Sequence, residues 1–571
     1  MAPSSSGRDG PILWTPLLLI CAAAFAAEIP FFFFGTPSGH DVEFHLYSWL
    51  DVLAQWKHGI IYPRWAAEAH FGFGEPRFVF YPPASWMLGG LLSALVPWVI
   101  ASAVYIWIGL VAAGVSMFTL ARKWLDRRDA VFAAVFYAAN PYHLVIVYWR
   151  SAFAELLASC LVPLLVLAIF KVANDNDGDG WRAVVPLSLV LAAAWLTNAP
   201  AAVMIHYSAA LLLLFFAWKR RSLRVLLNGG AAIALGVCLA AFYLLPAIYE
   251  QKWVNISEAV SAGSRPQDNF LFMHTADAAH DAFNQIISWV AGLEIAGTLT
   301  AAWAARSWGK EKPALWSPLL VWALACGVLM FPMTAIVWRF LPKLAFMQFP
   351  WRWLLCLSMI FSIVLAAGVR RWWTRLAICL VAILVIVGAW HRIQPPWWDD
   401  SGALREMRDN MIDGIGYAGT DEYTPAGIDA SGIDQAGADA ADNGTDDAIH
   451  AGAKEKAPRN VLDYGSANAD IQVSRWDAES KIFTVEASSP DHVALRLFPY
   501  QAWRVEVNGR VVQTATAESA GEMLIPVEAG VSRVQVSFVR TWDRQTGGWI
   551  SAIVAFLVFL GMLRTRTRAQ I

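Results

Sequence analysis

The chain has 571 residues, 57% of them hydrophobic, with 30 Trp and 31 Phe against 43 Lys plus Arg. Soluble globular chains hold about 45–50% apolar residues, so this composition excludes an ordinary soluble domain and points to a polytopic membrane protein. The formal net charge of −2 gives no bulk attraction to nucleic acid, and no nucleic-acid partner is expected.

In chain order, MAPSSSGRDG lacks the positive patch and cleavage site of a secretory signal, so the apolar run Ile12–Phe34 reads as a retained span. A polar, aromatic loop, 35–83, follows. Ala84–Leu120 is apolar and broken near Pro97, with the basic cluster Arg122, Lys123, Arg127 and Arg128 behind it. Further apolar runs cover Ala130–Tyr148, Leu156–Phe170, Val184–Trp195, Ala201–Trp218, Leu226–Ile248, Ile286–Trp303, Leu315–Val337, Phe349–Val369 and Leu376–Trp390. Many are about 20 residues long, enough to cross a bilayer as helices, and roughly 12–14 spans are expected. NDNDGDG, 174–180, resembles a calcium loop but lacks its glutamate at position twelve. The six cysteines all lie in apolar runs without a CxxC pair. They read as buried small hydrophobes, not disulfides or metal ligands.

The character changes after residue 390. Residues 391–467 read as an external linker. Within it Asp409–Asp447 carries ten acidic residues and no Lys or Arg, a composition expected to stay mobile. Residues 468–548 alternate as short strands with an Asn508-Gly509 hairpin turn, which reads as a small external β-sandwich. Residues 549–571 read as a final span with a cytoplasmic basic tail. Residues 1–390 form the main bundle.

The first loop holds the densest chemistry. It contains Asp41, Glu43, Asp51, Glu68 and Glu75, four histidines, Arg64 and Arg77. Ionisable groups at a membrane face mark a site; the alternative is an amphipathic loop lying in the interface. Val42–His58 has apolar residues on one helical face, with Asp41 and His45 four apart.

Five motifs carry a family resemblance. They are Gly39-His40-Asp41-Val42-Glu43-Phe44-His45, Tyr62-Pro63-Arg64-Trp65, Phe80-Tyr81-Pro82-Pro83, Gly419-Thr420-Asp421-Glu422-Tyr423 and Trp503-Arg504-Val505-Glu506-Val507-Asn508-Gly509. With one span, a long first external loop opening on an acid, and a proline-led second run, the chain resembles the C-type (GT-C) glycosyltransferase superfamily. That superfamily includes oligosaccharyltransferase catalytic subunits. Within it the chain is most similar to bacterial YfhO-like membrane proteins and those named as related to pyruvoyl-tetrahydropterin synthase; no pterin-synthase domain with a zinc triad is visible. The resemblance implies a GT-C-like α-helical polytopic fold with an external β domain. It implies a bacterial inner-membrane enzyme that moves a sugar from a polyprenyl phosphate to a glycan, lipid or protein acceptor outside the cytoplasm. It implies Asp41 as the base or acceptor-orienting group, with Glu43 as the alternate. Candidates for the donor phosphate and substrate are Arg64, Arg77, Tyr81, Arg352, His40, His45, Glu155 and His274. The second acidic motif of many relatives has no sharp counterpart, with Glu155 or Asp281 as stand-ins. Some members use a divalent ion (Mg or Mn) and others do not, so the metal is open. The competing classes are a lipid or polysaccharide flippase and a non-catalytic assembly protein of the envelope.

Overall fold

The computed structural model describes residues 14–175, 180–390, 398–442, 461–464, 470–517 and 521–568. Most of the hydrophilic hairpin 174–180, the end of the acidic stretch and the N-terminal 13 residues lie outside these. Among the described residues nine helices are long and apolar enough to span a membrane. Two further pairs, Leu223–Leu239 with Ala241–Trp253 and Pro313–Leu329 with Pro332–Phe340, are bent by 74° and 94°. The second break has Pro332 at the start of its next helix, where a proline cannot continue the preceding one. Pro83–Leu95 and Trp372–Gly388 are shorter apolar helices. Long, bent and short elements together correspond to the apolar runs of the sequence, Ala84–Leu120 supplying two of them.

The chain divides into two compact units, each assembled from separate stretches. The first comprises residues 1–42, 102–236 and 262–400. It is helical apart from one short antiparallel pair, Thr36–Pro37 (β1) with Trp398–Asp399 (β2). Small residues let its helices approach: a side chain at Gly297 would press on Phe361, and one at Gly236 on Leu191. Glu294, fully buried on the long helix Ala278–Ala304, accepts from the Tyr142 amide (3.2 Å) and the Ser358 hydroxyl (2.7 Å). Three helical segments are thereby tied by one carboxylate.

The second unit comprises residues 43–101, 237–261 and 401–571. It carries two antiparallel sheets. One is four-stranded, with Val461–Tyr464 (β3), Asp491–Leu495 (β6), Met523–Val527 (β10) and Ala515–Thr516 (β9) in that spatial order. The other is five-stranded: Asp470–Asp477 (β4), Ser480–Ala487 (β5), Gly530–Phe538 (β11), Trp503–Val507 (β7) and Arg510–Val511 (β8). Alternate residues of both sheets meet in one core, including Phe483, Val485, Leu495, Val505, Ile525 and Val534. That is the sandwich the alternation predicts. The core extends to Trp65, Phe73 and Phe80 of the first loop. A final helix, Trp542–Arg568, follows, with Trp549 and Phe556 among its exposed side chains.

The acidic stretch departs from expectation. As far as Asp442 it is ordered, and it contains the helix Ser431–Asp442. Asp434 bonds His70 at 2.8 Å, and Gly437 lies against Phe71 so closely that a side chain would collide. Charge content argued for a mobile segment; a buried cationic partner and a glycine that permits close approach outweigh it.

Candidate active site

In the first unit, residues 37–41 dock on a distorted helix end. Asn140 caps Pro141–Val145 by accepting from the His143 amide (2.9 Å). The helix then widens into a π turn over Ile146–Arg150 and stops at Ser151, whose φ of 50° is left-handed. The Ser151 hydroxyl donates to Pro37 O (2.8 Å) and accepts from the Gly39 amide (2.9 Å). The Asp41 amide donates to Arg150 O (2.9 Å). Only glycine fits at 39: a Cβ there would lie 2.6 Å from the Arg150 carbonyl carbon and Trp149 O. Backbone contacts thus fix Asp41 beside Arg150.

The side chains repeat the pairing. Arg150 donates to Asp41 Oδ2 (3.1 Å) with one nitrogen and to Glu155 Oε2 (2.9 Å) with the other. Glu155 also accepts from the Tyr142 hydroxyl at 2.5 Å and faces Arg352 Nε at 3.2 Å. That last contact is ionic; its angle is too poor for a hydrogen bond. Arg352 uses another nitrogen for Met347 O (2.6 Å) and Gln348 Oε1 (3.2 Å). Gln348, like Ser151, holds a positive φ, 63°. Two strained residues beside one cluster are what functional sites tend to store. Phe349 and Trp351, stacked at 4.8 Å, lie under the Arg150 guanidinium at 5.1 and 5.2 Å. Arg150 and Glu155 are buried, whereas the Asp41 side chain is 37% exposed. The cluster balances two arginines against two carboxylates and presents one carboxylate outward.

Of the residues singled out in the sequence, this arrangement unites Asp41, Glu155 and Arg352. His40 is exposed next to Asp41, its ring edge-on to Phe283 at 5.9 Å. His274, in the same unit, is exposed and pairs with Asp281 (3.1 Å). Arg150 and Tyr142 are residues the sequence reading did not select as site residues. The available signal was a lone arginine closing an apolar run, five residues before a lone glutamate.

The remaining candidates belong to the second unit. Glu43 is exposed in the first turn of the helix Val42–Lys57. His45 is buried among Phe44, Trp49 and Tyr81. The Arg64 guanidinium sits 4.2 Å over the Tyr62 ring. Arg77 is buried and donates to Glu75 Oε1 (2.5 Å), the Ser48 hydroxyl (3.0 Å) and the Thr420 hydroxyl (3.0 Å). Glu75 also accepts from His70 (3.1 Å) and the Thr420 amide (2.8 Å). Arg77 is therefore the internal partner of Glu75, and its donors are spent on the protein. Burial would raise the Glu75 carboxyl, but Arg77 and His70 outweigh it and hold it at about 2. Burial would lower His70, but its hydrogen bonds to the Asp434 and Glu75 carboxylates outweigh it and raise it to about 9. This network secures the Gly419–Tyr423 motif: Gly419 packs on the His70 ring and Tyr423 stacks on Phe80 at 5.7 Å.

The Asp41 cluster fits an ion-pair network better than a divalent-metal site. Asp41 has an arginine as its partner, and among the described residues no three His, Cys, Asp or Glu side chains group as ligands.

Fold and composition define a polytopic α-helical membrane protein with a C-terminal β-sandwich region. More particularly, residues 78–395, over half of the chain, match the 6-pyruvoyl-tetrahydropterin synthase related domain of membrane proteins, and the chain belongs to that family. No curated protein matches it. Among solved structures it is similar to the oligosaccharyltransferase of Archaeoglobus fulgidus in the apo form. The identity is 14% over 71% of this chain and 59% of that one, with a TM-score of 0.43. A structure of the oligosaccharyltransferase AglB from the same organism, in complex with an inhibitory peptide and a dolichol-phosphate, is also similar. There the identity is 14% over 72% and 56%, with a TM-score of 0.40. The chain spans less than two thirds of the length of either.

Proposed function

We propose that this chain is a membrane glycosyltransferase that passes a sugar from a polyprenyl-phosphate donor to an acceptor outside the cytoplasm. The observation that carries the reading is Asp41: a partly exposed carboxylate whose backbone and side chain are both fixed by a buried Arg150–Glu155–Arg352 cluster. An acceptor hydroxyl attacks the anomeric carbon, the bond from that carbon to the phosphate oxygen breaks, and the hydroxyl proton passes to Asp41. Held by Arg150, the Asp41 carboxylate orients the hydroxyl and accepts its proton as the carbon–oxygen bond forms. The polyprenyl phosphate leaves as a stable anion and needs little protonation. His40, exposed beside Asp41, is our candidate contact for that phosphate. The enzyme would lie in the bacterial cytoplasmic membrane, taking donor from the lipid phase and a glycan, lipid or protein acceptor from the aqueous side.

The test is sugar transfer by membranes containing the full chain, supplied with a panel of polyprenyl-phosphate sugars. Asp41→Asn is expected to lower turnover by about 10²–10⁴-fold, the usual worth of general-base assistance, with Glu43→Gln near wild type. Full activity in Asp41→Asn with loss in Glu43→Gln moves the role to Glu43. Full activity in both overturns the reading.

A further inference from the structure

In the first unit the helix Pro313–Leu329 turns by 94° into Pro332–Phe340. With 17 residues, about 25 Å at 1.5 Å per residue, the first of these covers most of a roughly 30 Å hydrocarbon core. Leu324 and Val328 are exposed along it, as side chains facing lipid are. A segment at right angles to a crossing helix runs along the membrane surface instead of through it.

The turn is built by specific bonds. A helix end leaves carbonyls without intrahelical partners, and here they find donors. Leu329 O accepts from the Trp338 indole (3.0 Å) and the Thr334 hydroxyl (3.2 Å). Met330 O accepts from the Leu271 amide (3.0 Å), and Phe331 O from the Thr334 hydroxyl (2.8 Å). Thr334 and Trp338 are thereby the buried face of Pro332–Phe340, with Trp338 edge-on to Phe270 at 6.0 Å. The other face carries Met333, Ile336 and Phe340, at spacings of three and four, and they are 77%, 65% and 73% exposed. Phe346 is exposed just beyond.

Two cations border this stripe. Arg339 and Lys343 are exposed, and among the described residues neither side chain has a hydrogen-bond or ion-pair partner. Residues 332–349 hold no Asp or Glu. Lys343 keeps a left-handed φ of 61°, a strained choice for a lysine, and its ammonium lies 4.6 Å from the Phe346 ring centre. The loop that carries it is pinned: the Tyr207 hydroxyl donates to Pro342 O (2.8 Å), and Leu344 and Met347 are buried.

Exposed apolar side chains beside unpaired cations suit an amphiphile with an anionic head. The apolar stripe seats among acyl chains while the cations reach the phosphate. A zwitterionic headgroup brings an ammonium of its own to the same two cations. A second copy of the chain, docked about a twofold axis, would set a patch with two cations and no carboxylate against itself. We propose that residues 332–346 form a docking surface for an anionic phospholipid, with Met333, Ile336, Phe340 and Phe346 among its acyl chains and Arg339 and Lys343 on its phosphate. This does not rest on the transfer reaction.

The test places a bimane fluorophore at Ile336→Cys in the full chain lacking its six native cysteines, in phosphatidylcholine nanodiscs. Headgroup-nitroxide phosphatidylglycerol or phosphatidylcholine, added as a minor component, quenches the bimane according to its local enrichment. Both are expected to quench, with phosphatidylglycerol preferred. One cation near the surface is worth about five-fold towards anionic lipid, so Arg339→Gln and Lys343→Gln should each lower the preference about five-fold. The double variant should abolish it, with an unchanged melting temperature. A bimane at Leu293→Cys, exposed on another helix, should show no preference. Native mass spectrometry of the chain with its cysteines intact, given equal phosphatidylglycerol and phosphatidylcholine, repeats the comparison: the double variant is expected to retain less phosphatidylglycerol. Lack of quenching by either lipid puts the stripe outside the bilayer and overturns the proposal. So does equal quenching by the two, an equal preference at position 293, or a preference that survives the double variant. Displacement of the labelled phosphatidylglycerol by polyprenyl phosphate at equal mole fraction also overturns it, giving the surface to that carrier instead.

Discussion

Arg150 holds Asp41 with one nitrogen and Glu155 with the other, and the two bonds differ in what they are worth. The Asp41 side chain is over one third exposed, so its pair contributes about 0–1 kcal/mol to stability. Glu155 is buried between two arginines and a tyrosine, and removing one partner of such a pair costs about 3–5 kcal/mol. Asp41→Asn should therefore leave the melting temperature nearly unchanged, whereas Glu155→Gln should lower it clearly; thermal melts of the purified chain check both. A second residue-scale expectation concerns pH. His70 is raised above its ordinary value to about 9, so its contribution is complete below about 6.5 and is lost as pH rises through 9. Glu75 is lowered to about 2, so its contribution is present above about 4.5 and is lost as pH falls through 2. Both describe one shared contact and are not summed. Stability of the second unit should thus be flat between about 5 and 7 and decline towards pH 9–10. His70→Asn should remove the alkaline decline; a wild-type-like decline in that variant would assign it elsewhere.

At the scale of elements, Gly39 carries the clearest expectation. A Cβ there would lie 2.6 Å from the backbone at Trp149–Arg150, so Gly39→Ala must push residues 37–41 off the π turn. Transfer is expected to fall about as far as in Asp41→Asn. Gly292→Ala, in open space on a helix, should keep activity and gain up to about 1 kcal/mol of stability. Parallel activity and melting assays separate the two. The same segment shows what the sequence disclosed. Asp41 stood out as a candidate because an acid opens a polar loop after an apolar run, and the spans were legible because length and hydropathy decide them. The strands of 470–538 were legible from alternation. The order of Ser431–Asp442 was not, because Asp434 finds its partner 364 residues away in His70, and composition cannot report a partner. Arg77 illustrates the converse. An arginine in a loop reads as a phosphate ligand until Glu75, Ser48 and Thr420 are seen to take its donors.

For the whole molecule, helix length bears on which side of the membrane each part faces. Counted as two spans, Ala84–Leu120 would put the basic cluster at Arg122–Arg128 on the side opposite the other basic clusters. Pro83–Leu95 has 13 residues, about 20 Å at 1.5 Å per residue, short of the roughly 30 Å hydrocarbon core. Trp98–Ala121, with 24 residues, crosses alone. Taking the nine long helices, each bent pair and Trp372–Gly388 as one crossing apiece gives twelve. The clusters at Arg122–Arg128, Lys219–Arg224, Arg306–Lys312, Arg370–Arg371 and Arg564–Arg568 then share one side, as the positive-inside rule requires. Arg339 and Lys343, which also flank a span, fall opposite. This count predicts that residues 43–97 and the β-sandwich lie on the face opposite those clusters. Single cysteines at Lys57, Asn508 and Glu311, all exposed, in a chain lacking the six native cysteines, test this in intact cells. A membrane-impermeant maleimide should label positions 57 and 508 from outside and reach 311 only after permeabilisation. Labelling of 57 and 508 from opposite faces would restore Pro83–Leu95 as a crossing and part the β-sandwich from the Asp41 loop. Labelling of 311 from outside would invert the protein and move the proposed transfer to the cytoplasmic face.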